Sequence, residues 1–99
     1  MSFECTSDPR CQRGLTFIYR YKTDLDVERL LTGLDLTLHR GEQRWGERLV
    51  QILSLPKRFE LQIGVRNGET RFMHRVSAST LQRQTDKLRF EKALGQALT

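Results

Sequence analysis

The residues in this sequence best suited to recognise another molecule are its cations, and they are unevenly placed. Residues 1–56 hold eight Lys/Arg and eight Asp/Glu, whereas residues 57–99 hold nine and four, so the whole net charge of +5 lies in the second part of the chain. Arg58, Arg66, Arg71 and Arg75 fall on the polar side of a hairpin read below, and Arg83, Lys87, Arg89 and Lys92 follow on a C-terminal helix. A guanidinium can hold two phosphate oxygens at once in a planar fork. Cations aligned on one face also gain affinity for nucleic acid by displacing its counterions. The competing reading is that these charges solvate an exposed sheet face and helix, partly offset by Glu60 and Glu69.

Other chemistries find less support. Cys5, Cys11, His39 and His74 are the full set of cysteines and histidines, and their spacing matches no zinc-finger pattern. A disulfide between Cys5 and Cys11 would close only a short loop, so free thiols are expected. His74 is expected as a hydrogen-bonded histidine on the buried side of the hairpin. No metal or other cofactor is expected. The chain has no Gly-rich phosphate loop, no Gly-x-Ser-x-Gly elbow and no His-Glu-x-x-His. Asp24, Asp26 and Glu28 are better explained as negative charge in the first turn of a helix than as a catalytic carboxylate cluster. The sequence therefore reads as a binding protein and not as an enzyme.

The elements that must carry these residues are a small antiparallel sheet packed on two or three helices, an α+β class. Residues 15–22 alternate as a strand, with Leu15, Phe17, Tyr19 and Tyr21 on one face. A helix is expected from Thr23 to His39 and Arg40, carrying Val27, Leu30, Leu31, Leu34 and Leu38, with Gly33 inside it at a cost of about 1 kcal/mol. Residues 43–54, with Trp45, Leu49, Ile52 and Leu53 on one face, read as a second helix ended by Pro56. A hairpin spans 58–77. Its Asn67-Gly68 pair suits a two-residue turn, which would set Val65 opposite Thr70, Ile63 opposite Phe72, Leu61 opposite His74 and Phe59 opposite Val76. A last helix runs from Thr80 to Leu98, capped by Ser79, with Leu81, Leu88, Leu94 and Leu98 on its apolar side. The preferred order is β-α-α-β-β-α. The alternative replaces the central helical region with strands, giving β-α-β-β-β-β-α.

The preferred order is similar to that of a type I KH-like domain, but the phosphate-clamping Gly-x-x-Gly loop of such domains is missing: residues 41–46 read Gly-Glu-Gln-Arg-Trp-Gly. The chain is not assigned to that family. Phe59, Phe72 and the tyrosines are all placed on the core side, so no exposed stacking platform is expected. Contacts would go to the phosphate backbone, with little base selectivity.

Leu, Ile, Val and Phe supply 27 of 99 residues, enough for a packed core. Residues 1–13 read as a flexible N-terminal tail and 14–99 as a single domain. No apolar run approaches the roughly 18 residues of a membrane span, and the N-terminus lacks a signal-like apolar centre, so a cytoplasmic protein without a membrane partner is expected. The functional expectation is a non-catalytic binding domain that contacts nucleic acid or another polyanion through a C-terminal basic surface. Its rival is a protein-protein adaptor, chaperone or small regulatory or inhibitor protein, with an acidic protein as partner. Homodimerisation goes with that rival, through strand 15–22 if that strand is at a sheet edge, or through the last helix.

Overall fold

The computed structural model describes residues 2–10 and 13–98. Its elements are β1 (Glu4–Ser7), β2 (Thr16–Arg20), α1 (Val27–Leu34), β3 (His39–Trp45), β4 (Arg48–Leu55), β5 (Phe59–Ile63), β6 (Glu69–His74) and α2 (Thr80–Ala97). The six strands form one antiparallel sheet in the order β1-β2-β6-β5-β4-β3. The α+β class expected from the sequence is present. The preferred β-α-α-β-β-α order is not: the observed order is the β-α-β-β-β-β-α alternative with β1 added ahead of it. Among the described residues no helix is long and apolar enough to cross a membrane.

Both helices lie on one face of the sheet. Tyr19, Leu53, Phe59, Leu61 and Phe72 from that face form one buried cluster with Leu30 and Leu34 of α1 and Phe90, Ala93, Leu94 and Ala97 of α2. On α2 the buried positions Asp86, Phe90, Ala93, Leu94 and Ala97 recur at helical spacing. Leu81 and Leu88, expected on that side, are exposed. They sit on the opposite arc of the helix. Among the described residues no helix covers the other sheet face. Its central row runs Thr6, Ile18, Arg71, Gln62, Ile52, Gly41 across all six strands.

The first helix is shorter than its apolar pattern suggested. Asp26, not Thr23, is the N-cap, accepting from the Arg29 N–H at 3.2 Å, and Asp35 stops the helix in the left-handed region at φ 53°. Gly33 is helical, and a Cβ there would lie 3.1 Å from the Ala93 Cβ, so its missing side chain lets α1 and α2 approach closely. Residues 43–54 are strand and turn, not a second helix. The spacing of Trp45, Leu49 and Ile52 fits either period, but Gly46 at φ 65° begins a two-residue turn and splits the segment into β3 and β4. Residues 4–7, within the stretch expected as a tail, pair with β2 as β1.

The β5–β6 hairpin keeps its faces and loses its expected register. Ile63 lies opposite Thr70, Leu61 opposite Phe72 and Phe59 opposite His74, a slip of two residues. An even slip preserves which side chains point to the core. The turn is not the expected Asn67-Gly68 pair, because Asn67 does not have the positive φ that such a turn needs at both positions. Instead residues 64–68 form a longer connection tied down on both sides. Arg48 donates to the Gly64 carbonyl at 3.0 Å and to Asn67 Oδ1 at 2.7 Å, while the Tyr21 N–H donates to the Gly68 carbonyl at 2.9 Å. These tertiary bonds outweigh the local turn preference. Val76, expected to pair inside, lies beyond the end of β6 and is exposed.

Candidate functional site

The antiparallel register places Thr16, Met73, Glu60, Ser54 and His39 in one row at one end of the sheet. Beyond the β2, β6 and β5 part of that row lie the approach to β2, the 56–58 turn and the 75–79 link into α2. Here α2 begins. Ser79 accepts a hydrogen bond from the Gln82 N–H at 3.1 Å, and the first turn carries no acidic residue. Thr80, Arg83, Gln84 and Lys87 share one side of the helix by their spacing of three, four and seven residues. With Arg13, Leu15, Phe17 and His74 they line a groove of about 230 Å³. Its wall holds Arg13, Arg83 and Lys87 and no carboxylate.

Each basic group is held differently. Lys87 Nζ lies 4.8 Å from the centroid of the Phe17 ring and 2.8 Å from Glu91 Oε2, an oxygen that also accepts from the Tyr19 hydroxyl at 2.8 Å. Burial, aided by its bonds to Cys5 and Glu91, drives the Tyr19 hydroxyl far above its usual pKa, so it stays protonated. Arg83 donates from Nη2 to the Val76 carbonyl at 2.9 Å, and its buried Nε has no partner among the described residues. Arg13 is exposed.

His74 is the most constrained member. It is 8 % exposed and packs edge-on against Phe17 and Phe72, at 5.8 and 4.8 Å between ring centroids. Its Nδ1 is buried without a partner among the described residues, so the core histidine expected to be hydrogen-bonded is not satisfied by the protein there. Burial, then the Arg83 charge, holds its pKa below the usual histidine range. Asp86 opposes the shift and Lys87 adds to it. An anion bound in the groove would oppose the Arg83 and Lys87 contributions to that shift.

The eight cations singled out in the sequence separate. Arg83 and Lys87 meet in this groove. Arg58 is turned inward to the buried carboxylate of Asp86, bonding through Nε at 3.2 Å and through Nη2. Arg75 pairs with Glu60 at 2.9 Å. Arg89 donates to the Leu34 carbonyl at 3.2 Å, satisfying the C-terminal end of α1. Arg71 lies on the helix-free face, 4.0 Å from Glu69, which also pairs with Arg20 at 3.3 Å. Arg66 is exposed in the 64–68 connection, at the opposite end of the sheet. On the helix-free face Arg20, Arg71 and Arg75 thus lie beside Glu69 and Glu60. Lys92 is exposed.

Sequence reading missed Arg13, which sat in the assigned tail. The signal that was available is Gly14, at φ 64°, which turns the chain into β2 beside it. A cavity of about 620 Å³ lies elsewhere, between residues 21–25 and 63–69. Lys22 and Arg66 line it together with Asp24 and Glu69, so it has no charge preference. Cys5 is exposed on β1, and Cys11 lies outside the described residues. Among the described residues no three His, Cys, Asp or Glu side chains gather as metal ligands would. Comparison of the chain with protein-family models, with curated proteins and with solved structures finds no match.

Proposed function

We propose that this is a non-catalytic binding domain that holds nucleic-acid phosphates in the groove at the start of α2. The observation that carries the reading is the groove wall, with three cations and no carboxylate. The helix N-terminus adds its own partial positive charge, and no first-turn acid offsets it. Lys57 belongs to the neighbouring 56–58 turn at the same end of the sheet, which extends the positive field beyond the groove. The aromatic rings near the groove, Phe17 and Phe72, pack on His74 and lie partly or wholly in the core, so contact is with the backbone and carries little base selectivity.

Titration of labelled single-stranded RNA and duplex DNA, read by fluorescence anisotropy at several salt concentrations, tests the proposal. Binding tightens as salt is lowered. Arg13→Gln weakens it for all sequences alike, while Arg66→Gln, at the far end of the sheet, leaves it near wild type. No binding at low salt, or equal weakening by the two variants, removes the reading.

A further inference from the structure

The sheet has two free edges, and they are unequal. β1 is four residues long and is followed by Asp8 and Pro9. β3 is seven residues long, has no proline, pairs among the described residues only with β4 and is exposed at every position. β2, whose use for pairing required an edge position, lies inside the sheet between β1 and β6. An exposed edge of this length presents a row of unpaired backbone groups to another strand.

The turn decides which groups those are. Trp45 and Arg48 flank the two-residue turn, so they exchange both backbone hydrogen bonds with each other. By alternation Gln43, Gly41 and His39 bond to β4, and Arg40, Glu42 and Arg44 turn their N–H and C=O groups outward. Two copies can pair antiparallel only in registers that set outward residues opposite one another. Centring on Glu42 would put Arg40 opposite Arg44 and Glu42 opposite itself. Centring on Gly41 would put Glu42 opposite Arg40, which already pairs with Glu28 at 3.0 Å. Centring on Gln43 puts Glu42 opposite Arg44 twice, and Arg44 has no ion pair among the described residues. In that register Trp45 of one copy meets Gly41 of the other, and nothing lies within 4 Å of where a Gly41 Cβ would be. Trp45 is an exposed large apolar side chain on the same face as Gly41.

We infer that two copies of the chain pair antiparallel along β3 about a two-fold axis at Gln43, joining their sheets into one and matching Glu42 of each with Arg44 of the other. The occupant is a second copy because the strand's own charges are complementary to themselves in this register. The interface is isologous, as a two-fold axis requires, and it is independent of the groove at α2.

Sedimentation velocity over a concentration series tests the pairing. The wild-type chain dimerises as concentration rises. Glu42→Arg and Arg44→Glu each weaken self-association by about tenfold, since two attractive pairs become two repulsive ones. An equimolar mixture of these two variants associates, because each Arg then meets a Glu, and the double variant Glu42→Arg/Arg44→Glu regains the wild-type dimer. Glu42→Pro removes an outward N–H, which an edge strand tolerates, and stays monomeric with an unchanged circular dichroism spectrum. A wild-type chain that is monomeric throughout, a mixture that does not associate, or Arg44→Glu that self-associates like wild type overturns the inference.

Discussion

Asp86 is the perturbation that most sharply separates structural from binding arginines. Its side chain is fully buried, and it accepts from Arg58 Nε and Nη2 and from Gln82 Nε2 at 3.0 Å. The Arg58 side chain is 30 % exposed. Removing one member of a buried ion pair costs about 3–5 kcal/mol. Because the Arg58 guanidinium can turn toward water once released, Asp86→Ala falls at the low end, about 3 kcal/mol. For a domain of this size that lowers Tm by roughly 12–24 °C. The Asp86→Leu/Arg58→Met double variant keeps the volume and removes both charges, and stays within about 1 kcal/mol of wild type. Urea unfolding followed by far-ultraviolet circular dichroism measures all three proteins. If Asp86→Ala loses less than about 1 kcal/mol, or the double variant is as unstable as the single one, the pair does not fasten α2 to the start of β5 and Arg58 is available for ligand.

Gly68→Ala should destabilise by about 1–3 kcal/mol in the same assay, because φ is 70° and its Cβ would lie 2.5 Å from the Tyr21 carbonyl oxygen. His74 gives a pH signature. Its folded pKa lies below the unfolded value of about 6.5, so the stability it contributes is complete above that value and is lost as pH falls through the depressed one. Urea midpoints should therefore drop as pH falls below about 6.5, and less steeply in His74→Leu. An oligonucleotide that fills the groove should reduce the drop in the wild-type chain. Leu88→Gln, on the exposed arc of α2, should change stability by less than about 0.5 kcal/mol.

What the sequence conveyed follows from how many signals agreed at each place. Ser79 with Gln82 is a cap, and α2 begins where that cap puts it. The alternation of Phe59, Leu61 and Ile63 named the core face correctly, and the face survived a register slip because the slip was even. The central region was misread because Trp45, Leu49, Ile52 and Leu53 satisfy a helical period while Gln51, Leu53 and Leu55 satisfy a strand period. A strand in the middle of a sheet buries residues on both faces, so its apolar pattern blurs into that of a helix. The groove was legible only in half. Arg83 and Lys87 share a helix face by spacing alone, but Arg13 arrives from the turn ahead of β2 and His74 from the end of β6, both distant in sequence. Their meeting depends on the β2–β6 pairing, of which local periodicity carries no trace.

The salt dependence of nucleic-acid binding tests the central claim most directly. Three phosphate contacts, from Arg13, Arg83 and Lys87, give a slope of log affinity against log salt of about −2.7 on duplex DNA. Removing one cation as Arg83→Gln should reduce the steepness by about 1, with Arg66→Gln as the unaffected control. A slope near zero, or one that Arg83→Gln leaves unchanged, would contradict the assignment of the groove.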